Sequence, residues 1–263
     1  MVNRKPVAKV RYLDFNYGVQ VVYEPGPLLF PSLIKRLRGN QIFLKALARL
    51  TRGGWPWLVK ERWQVNERIV EMPFVLRSIT EGERLILDLG CCESALPLEL
   101  AHLGYKVVGV DQREYLISHP NFRFVQGDIC QLSFPSNLFD VVVSLSTIEH
   151  VGLGFYRDRV NAQGDLAAVK EIWRVLKPGG KLLLTAPYGR PCESWQRVYD
   201  SEGIKKLLSN FRVENMRYYK RLGQAWVEAS REEVDGLDSS DETNAVVLIE
   251  ARRQGGCPEG PTR

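Results

Sequence analysis

The chain has 263 residues, of which 44% are hydrophobic and 25% charged, and its formal net charge is +5. This composition provides enough apolar material for a sizeable core, and it excludes disordered, collagen-like and coiled-coil chains. Residues 1–80 hold 14 Lys or Arg against 5 Asp or Glu, a net charge of +9, which leaves −4 for residues 81–263. A basic first part therefore precedes a mildly acidic body.

The sequence also allows a prediction of where in the cell the protein is located. The first residues lack the apolar run of a secretory signal, and no later run approaches the roughly 20 residues of a membrane span. The five cysteines are odd in number and lack the paired spacing of a zinc site, so reduced thiols are expected. We therefore predict a cytoplasmic protein with no transmembrane segment.

The basic first part is predicted to be helical. Helices are expected over residues 32–50 and 57–79, with a Gly- and Pro-containing turn between them. We interpret residues 1–80 as an N-terminal extension that packs its apolar face on the body and serves as a lid. A basic amphipathic segment can also lie on an anionic membrane or bind nucleic-acid phosphates, and both alternatives stay open.

From residue 84 onward, short apolar runs alternate with helical stretches, which is typical of βαβ units and a parallel sheet. Strands are predicted over residues 84–90, 106–111, 122–126, 139–145 and 181–186, and helices over 95–103, 165–176 and 201–208. Two last strands, residues 212–220 and 245–252, have no helix between them and should pair antiparallel. The acidic run 231–242, within the segment 222–244, is interpreted as a solvated loop, and residues 254–263 as a flexible tail.

These elements predict an α/β fold. We expect a Rossmann-like three-layer sandwich over residues 81–253, whose mostly parallel sheet has seven strands, the last of them antiparallel.

Three polar features follow successive predicted strands, at the edge where open α/β sheets bind ligands. They are the turn Asp88-Leu-Gly-Cys-Cys-Glu-Ser94, the acid Asp111, and Gly127-Asp-Ile129. A glycine turn followed about 20 residues later by an acid suits a nucleoside, because the backbone approaches the ligand and the carboxylate binds the ribose hydroxyls. A dinucleotide is disfavoured, since Cys92 and Ser94 replace two of the three glycines that a pyrophosphate needs.

The order and spacing of five motifs resemble those of the class I S-adenosylmethionine-dependent methyltransferases. They are Asp88-Leu-Gly-Cys, Gly109-Val-Asp111, Gly127-Asp128, Phe139-Asp140 and Leu176-Lys-Pro-Gly-Gly180. The resemblance extends over residues 84–252 and is carried by the set rather than by any single motif.

The resemblance implies S-adenosylmethionine as the cofactor. In such enzymes the turn from Gly90 to Ser94 passes the methionine part, Asp111 binds the ribose, and Asp128 and Ile129 meet the adenine. The residues implied to contact the cofactor are Asp88, Gly90, Cys91, Glu93, Asp111, Gly127, Asp128, Ile129, Ser144 and Ser146.

The segment after the fourth strand, Ser146-Thr-Ile-Glu-His150, lies in such enzymes between cofactor and acceptor. A hydroxyl acceptor benefits from a base, and histidine is the natural choice, so His150 and the adjacent Glu149 are the candidate catalytic residues. A capping or packing role for His150 is the alternative. These residues make a thin ligand set for a divalent cation, and a metal is not predicted.

The loop after the fifth strand should line the acceptor pocket. Tyr188 and Arg190 are candidates for binding a polar or anionic acceptor, followed by Trp195, Arg197 and Tyr199. The alternative is an ordinary surface loop with exposed aromatic residues.

The first hypothesis for function is O-methylation of a polar small molecule, with a saccharide or saccharide-linked acceptor suggested by the resemblance. The second is RNA methylation, with nucleic acid bound through basic residues 1–80. The third is a non-catalytic binding module that has lost the cofactor, which the replaced glycines at Cys92 and Ser94 suggest.

Overall fold

The computed structural model describes residues 19–25, 59–92, 94–156 and 158–255. The strands in these ranges are β1 (Val19–Pro25), β2 (Val59–Val65), β3 (Leu85–Leu89), β4 (Lys106–Asp111), β5 (Phe122–Gln126), β6 (Phe139–Leu145), β7 (Leu176–Pro187), β8 (Cys192–Glu193), β9 (Arg197–Val198), β10 (Phe211–Leu222), β11 (Ala225–Ala229) and β12 (Ala245–Arg253). The helices are α1 (Arg68–Ser78), α2 (Leu96–His102), α3 (Gly164–Val175), α4 (Ser201–Leu207) and α5 (Arg231–Val234). None of the helices in the described ranges has the length and apolar character needed to cross a membrane.

The first part of the chain is less helical than predicted. β1 and β2 pair antiparallel, with Val19 opposite Val65. The helix predicted over residues 57–79 is therefore wrong in its first half, and only α1 remains of it. Val59, Trp63 and Val65 of β2 are spaced by even numbers of residues, as in a strand, and pairing with β1 supplies backbone hydrogen bonds that outweigh local helix propensity. The helix predicted over residues 32–50 lies outside the described residues.

The central sheet has the strand order β11-β10-β12-β7-β6-β3-β4-β5. β3 to β7 run parallel, while β12 pairs antiparallel with β7 and β10 antiparallel with β12. The predicted Rossmann-like class, a mostly parallel sheet with an antiparallel last strand between helical layers, is confirmed. The sheet has eight strands rather than the predicted seven, because β11 pairs with β10 at its edge.

The additional strand lies in the segment 222–244, ahead of the acidic run 231–242, and that run begins with helix α5 rather than as the predicted loop. Gly223 has a φ of +60°, which permits the tight turn between β10 and β11. Trp226 of β11 is buried. Ser230 then caps α5, because its side chain accepts from the Glu233 N–H while the Glu233 side chain accepts from the Ser230 N–H. This capping box was the signal in the sequence for a structured segment.

Helices cover both faces of the sheet. Leu87 of β3 belongs to the core cluster that contains Ile172 of α3, whereas Ile86 belongs to the cluster that contains Leu100 of α2 and Val75 of α1. This division follows from the strand period of two, which points successive side chains to opposite faces. α1 and α2 therefore lie on one side of the sheet and α3 on the other.

Candidate functional site

The residues predicted to hold the cofactor follow strands that are neighbours in the sheet. β3 pairs in parallel with β4 and with β6, and β5 pairs with β4. Gly90 follows β3, Asp111 ends β4, Gly127 follows β5, and Ser146 follows β6. The structure therefore brings these residues to one edge of the sheet, where open α/β sheets bind ligands.

Gly90 makes a tight turn directly after β3. Its φ is +70°, and its N–H donates to the Val110 carbonyl at 2.8 Å. A Cβ on Gly90 would lie 2.5 Å from Thr147 Oγ1, so only glycine fits. The Thr147 hydroxyl lies 3.1 Å from the Leu89 carbonyl and 3.0 Å from the Leu145 carbonyl, which ties the end of β3 to the end of β6. Thr147 was not among the predicted site residues.

The Asp111 carboxylate is fixed by backbone donors. Its Oδ2 accepts from the Cys92 N–H at 2.9 Å, and its Oδ1 accepts from the Arg113 N–H at 2.9 Å. The Arg113 guanidinium adds an ion pair at 3.6 Å. Each carboxylate oxygen has a further lone pair, so this group can still accept from the two hydroxyls of a ribose.

Asp88 is the residue whose surroundings fit the cofactor best. Its carboxyl is buried, and in the described part of the chain its Oδ2 has no hydrogen-bond partner. Burial raises the pKa of Asp88 to about 7, the Arg68 charge opposes that shift, and the Asp111 charge adds to it. A buried oxygen without a donor is costly, and the ammonium of a methionine group would satisfy it.

The segment after β5 lies beside Asp111. The Gly127 N–H donates to the Asp111 carbonyl at 3.0 Å, and Asp128 Oδ1 accepts from the Cys130 N–H at 2.8 Å. Asp128 is exposed, while Ile129 is buried in the core. An exposed carboxylate next to an apolar side chain can serve the amino group and the ring face of an adenine.

For three other residues predicted to contact the cofactor, the structure does not place a side chain in the site. The Cys91 thiol is buried against β4, where a Cβ on Gly109 would lie 2.7 Å from its Sγ, so only the Cys91 backbone can face a ligand. Ser144 and Val142 are two residues apart in β6, so their side chains share one face of the sheet. Val142 packs in the core cluster on the side of α3, which is the face opposite Asp88. Glu93 lies outside the described residues.

His150 and Glu149 lie in the short 3-10 helix Ile148–His150 that follows β6. His150 Nδ1 is 3.1 Å from the Trp195 carbonyl. A carbonyl only accepts, so Nδ1 carries the proton and Nε2 of the neutral ring has the free lone pair. Nε2 lies 3.8 Å from Glu149 Oε1, and the ring stacks on Trp195 with 5.2 Å between centroids.

Burial moves both groups towards their neutral forms. It lowers the pKa of His150, against the hydrogen bond to the Trp195 carbonyl. It also raises the pKa of Glu149 well above its ordinary value, and the nearby Glu71 and Glu67 charges add to that shift. A neutral imidazole with a free Nε2 is the form that can accept a proton. Within the described ranges, no three His, Cys, Asp or Glu side chains are arranged to hold a metal ion.

Helix α1 contributes two charged residues that the sequence-based prediction missed. Glu71 is fully buried, and its Oε1 accepts from the Ser146 hydroxyl at 2.6 Å. Arg68 donates from Nη1 to the Leu145 carbonyl at 3.0 Å and lies 3.7 Å from Glu71 Oε2. The sequence did contain a signal for these two residues. Arg68 and Glu71 are oppositely charged, lie three residues apart, and share a helix face with the buried residues Met72 and Val75.

The predicted acceptor-binding residues are separated by the structure. Tyr188 is fully buried, and its hydroxyl donates to Asp235 Oδ1 at 2.7 Å. Its ring packs edge-on against Tyr218. Arg190 is exposed, and its backbone N–H donates to the Leu237 carbonyl at 2.8 Å. Tyr188 therefore belongs to the core and is left out of the acceptor site proposed below.

Two further residues of this loop anchor the structure around His150. Arg197 is buried and donates to the Val151 carbonyl at 2.6 Å. The Tyr199 hydroxyl donates to Asp165 Oδ2 at 3.0 Å. Of the aromatic residues predicted for this region, Trp195 alone is in ring contact with His150, while the second ring on His150, Tyr156, comes from the loop after Val151.

Comparison with known proteins identifies relatives of this domain and of its fold. Residues 87–184 match the family model of the methyltransferase domain. A protein of Encephalitozoon cuniculi named as a methyltransferase is 27% identical over 62% of this chain and 72% of its own length. The sterol 24-C-methyltransferase of Pneumocystis carinii is 30% identical over 39% of this chain, which spans only 27% of that enzyme. A crystal structure of a SAM-dependent methyltransferase from Methanosarcina mazei has 19% identity and a TM-score of 0.50, covering 69% of this chain and 97% of that one.

The fold is that of class I methyltransferases, and the matched residues run from β3 to β7 of its central sheet. Residues 87–184 match a methyltransferase domain, and the chain is similar to S-adenosylmethionine-dependent methyltransferases.

Proposed function

We propose that this methyltransferase acts on a hydroxyl oxygen of a polar small molecule, with a saccharide or saccharide-linked molecule as the acceptor class. The observation that carries this proposal is the bond between His150 Nδ1 and the Trp195 carbonyl, which leaves Nε2 free to accept a proton. A hydroxyl is a weak nucleophile at neutral pH and gains from such a base, whereas a soft carbon or sulfur nucleophile needs it less.

Four groups are proposed to hold the cofactor. The methionine part of the cofactor lies against the Gly90 turn, and its ammonium donates to Asp88. The ribose hydroxyls donate to Asp111, and the adenine contacts Asp128 and Ile129. When bound, the cofactor supplies an electrophilic methyl group on a sulfonium. Methyl transfer is an in-line displacement, so the main work of these residues is to fix one reactant against the other.

His150 is proposed as the general base. Its neutral Nε2 accepts the proton of the acceptor hydroxyl as that oxygen becomes the nucleophile. The ring then carries a positive charge, which lies 3.8 Å from the partial negative charge of Glu149 Oε1. Glu149 thus stabilises the protonated base, and the Trp195 carbonyl keeps the ring in the required orientation.

The surroundings of His150 suit a saccharide. Trp195 and Tyr156 both contact its ring, at centroid distances of 5.2 and 5.3 Å. Aromatic faces can pack against the C–H faces of a sugar ring, which are apolar. In the described part of the chain the buried Glu149 Oε2 has no hydrogen-bond partner, so it can pair with a sugar hydroxyl. This combination of aromatic surface and carboxyl oxygen is what a polyhydroxylated ring requires.

The experiment is methyl transfer from isotope-labelled S-adenosylmethionine to matched acceptors. A set of mono- and oligosaccharides is compared with total tRNA, and the products are analysed by mass spectrometry and by the acid stability of the label. We expect a stable methyl ether on a saccharide. Label that appears in tRNA instead, with turnover that falls steeply with salt, contradicts the proposal and supports the nucleic-acid alternative based on residues 1–80.

A further inference from the structure

The turn after β6 is held in an unusual backbone conformation. Ser146 has a φ of +43°, in the left-handed region that non-glycine residues rarely adopt. Such a conformation costs free energy and persists only where the surrounding structure over-determines it. The groups that hold Ser146 are therefore expected to matter for the segment it begins.

Two hydrogen bonds from different elements hold Ser146. Its N–H donates to Thr185 Oγ1 of β7 at 2.9 Å, and its hydroxyl donates to Glu71 Oε1 of α1 at 2.6 Å. Arg68, one turn earlier on α1, donates to the Leu145 carbonyl just before the turn. α1 is thus bonded to the end of β6 at two consecutive residues.

The residues that follow this turn belong both to the proposed cofactor site and to the proposed acceptor site. Thr147, the next residue, contacts the Gly90 turn, where the cofactor chain is proposed to pass. Glu149 and His150 follow in the same 3-10 helix. A change of backbone conformation at Ser146 would therefore displace the wall of the cofactor site and the base together.

We propose that Glu71 is a positioning residue, whose hydrogen bond to Ser146 holds the left-handed turn that places Thr147 against Gly90 and His150 at the acceptor side. This inference rests on the proposed function, because it assumes that the cofactor binds at Gly90. The role needs an acceptor oxygen at Glu71 rather than its charge. In this role α1 forms part of the wall of the site through Arg68 and Glu71.

The test measures the affinity for S-adenosylhomocysteine by calorimetry in the full chain and its variants. Glu71→Ala and Ser146→Ala each remove the hydrogen bond and are expected to weaken binding about tenfold. Glu71→Gln keeps a carbonyl oxygen in place and should bind within about threefold of wild type. The double variant Glu71→Ala/Ser146→Ala should be no weaker than either single one, because both act through the same bond.

Arg77→Ala, an exposed position of the same helix, is the matched control and should bind as wild type. Equal weakening by Glu71→Gln and Glu71→Ala would overturn the proposal, because it would show that the charge of Glu71, and not its acceptor oxygen, supports binding. Wild-type affinity in Glu71→Ala would overturn it as well. If Glu71→Ala does not fold, the Ser146→Ala and Glu71→Gln proteins decide the question by the same criteria. Failure of saccharide methylation leaves these results intact, whereas loss of binding by the wild-type chain would overturn the proposed cofactor site itself.

Discussion

Replacing His150 with alanine is expected to lower the rate of methyl transfer about 100-fold or more, the usual loss on removing a general base. The affinity for S-adenosylhomocysteine should change little, since the cofactor groups are assigned to Asp88, Asp111 and Gly90. Removal of the ring leaves the acceptor hydroxyl without a proton acceptor, while Trp195 stays anchored by its Nε1–H bond to the Ser240 carbonyl at 3.0 Å. The measurement is kcat with saturating acceptor and cofactor, together with calorimetry.

The control for this variant is His102→Ala. His102 is exposed and ends α2, next to the opposite edge of the sheet where β4 begins, so its loss should leave kcat unchanged. The pH dependence gives a second readout, because only the neutral imidazole accepts a proton. The rate should fall as the pH drops through the pKa of His150, which burial places below the ordinary histidine value. Unchanged turnover in His150→Ala would remove the base assignment.

Replacing Asp111 with asparagine is expected to weaken binding of S-adenosylhomocysteine about 10- to 100-fold. The carboxylate accepts two backbone N–H groups, from Cys92 and Arg113, through different oxygens. Asparagine offers one oxygen and one NH₂ group, so one of these N–H groups faces a donor and the ribose loses a charged acceptor. Calorimetry measures the loss, and thermal unfolding measures the accompanying loss of stability.

Asp140→Asn is the matched control, because Asp140 has the same chemistry at the opposite end of the sheet. Its Oδ2 accepts from the Arg84 and Leu85 N–H groups at 3.1 and 2.9 Å, and Lys177 pairs with its Oδ1. Burial alone would raise the pKa of Asp140, but these bonds hold it below the ordinary value. The variant should therefore lose stability while keeping its cofactor affinity. Equal losses of affinity in both variants would show that Asp111 acts only through the fold.

The centre of the sheet could be predicted from the sequence because local pattern and tertiary structure agree there. The bounds of β4, β5 and β6 coincide with the predicted ones, since each is rich in β-branched or aromatic residues and ends at a polar residue or just before one. Strand order then brings Gly90 and Asp111 to one edge without any further information.

The parts that were missed depend on contacts between distant segments. Tyr188 follows a strand and looked exposed, but its hydroxyl meets Asp235, which lies in a segment interpreted as a solvated loop. Glu71 lies in a helix whose apolar residues explain its packing, and only the structure shows it bonded to Ser146, 75 residues away in sequence. The sequence predicted a helix where the structure has β2, and the reason is the same. β2 is stabilised by pairing with β1, which is remote in sequence.

A crystal structure of the protein with S-adenosylhomocysteine would show whether the cofactor binds at the ends of β3 and β4. The predicted complex has the ribose hydroxyls within hydrogen-bonding distance of the Asp111 carboxylate, the amino-acid end between Gly90 and Asp88, and the sulfur facing the side of the site that holds His150 Nε2. A ligand bound away from the ends of β3 and β4, or a sulfur that faces away from His150, would contradict it.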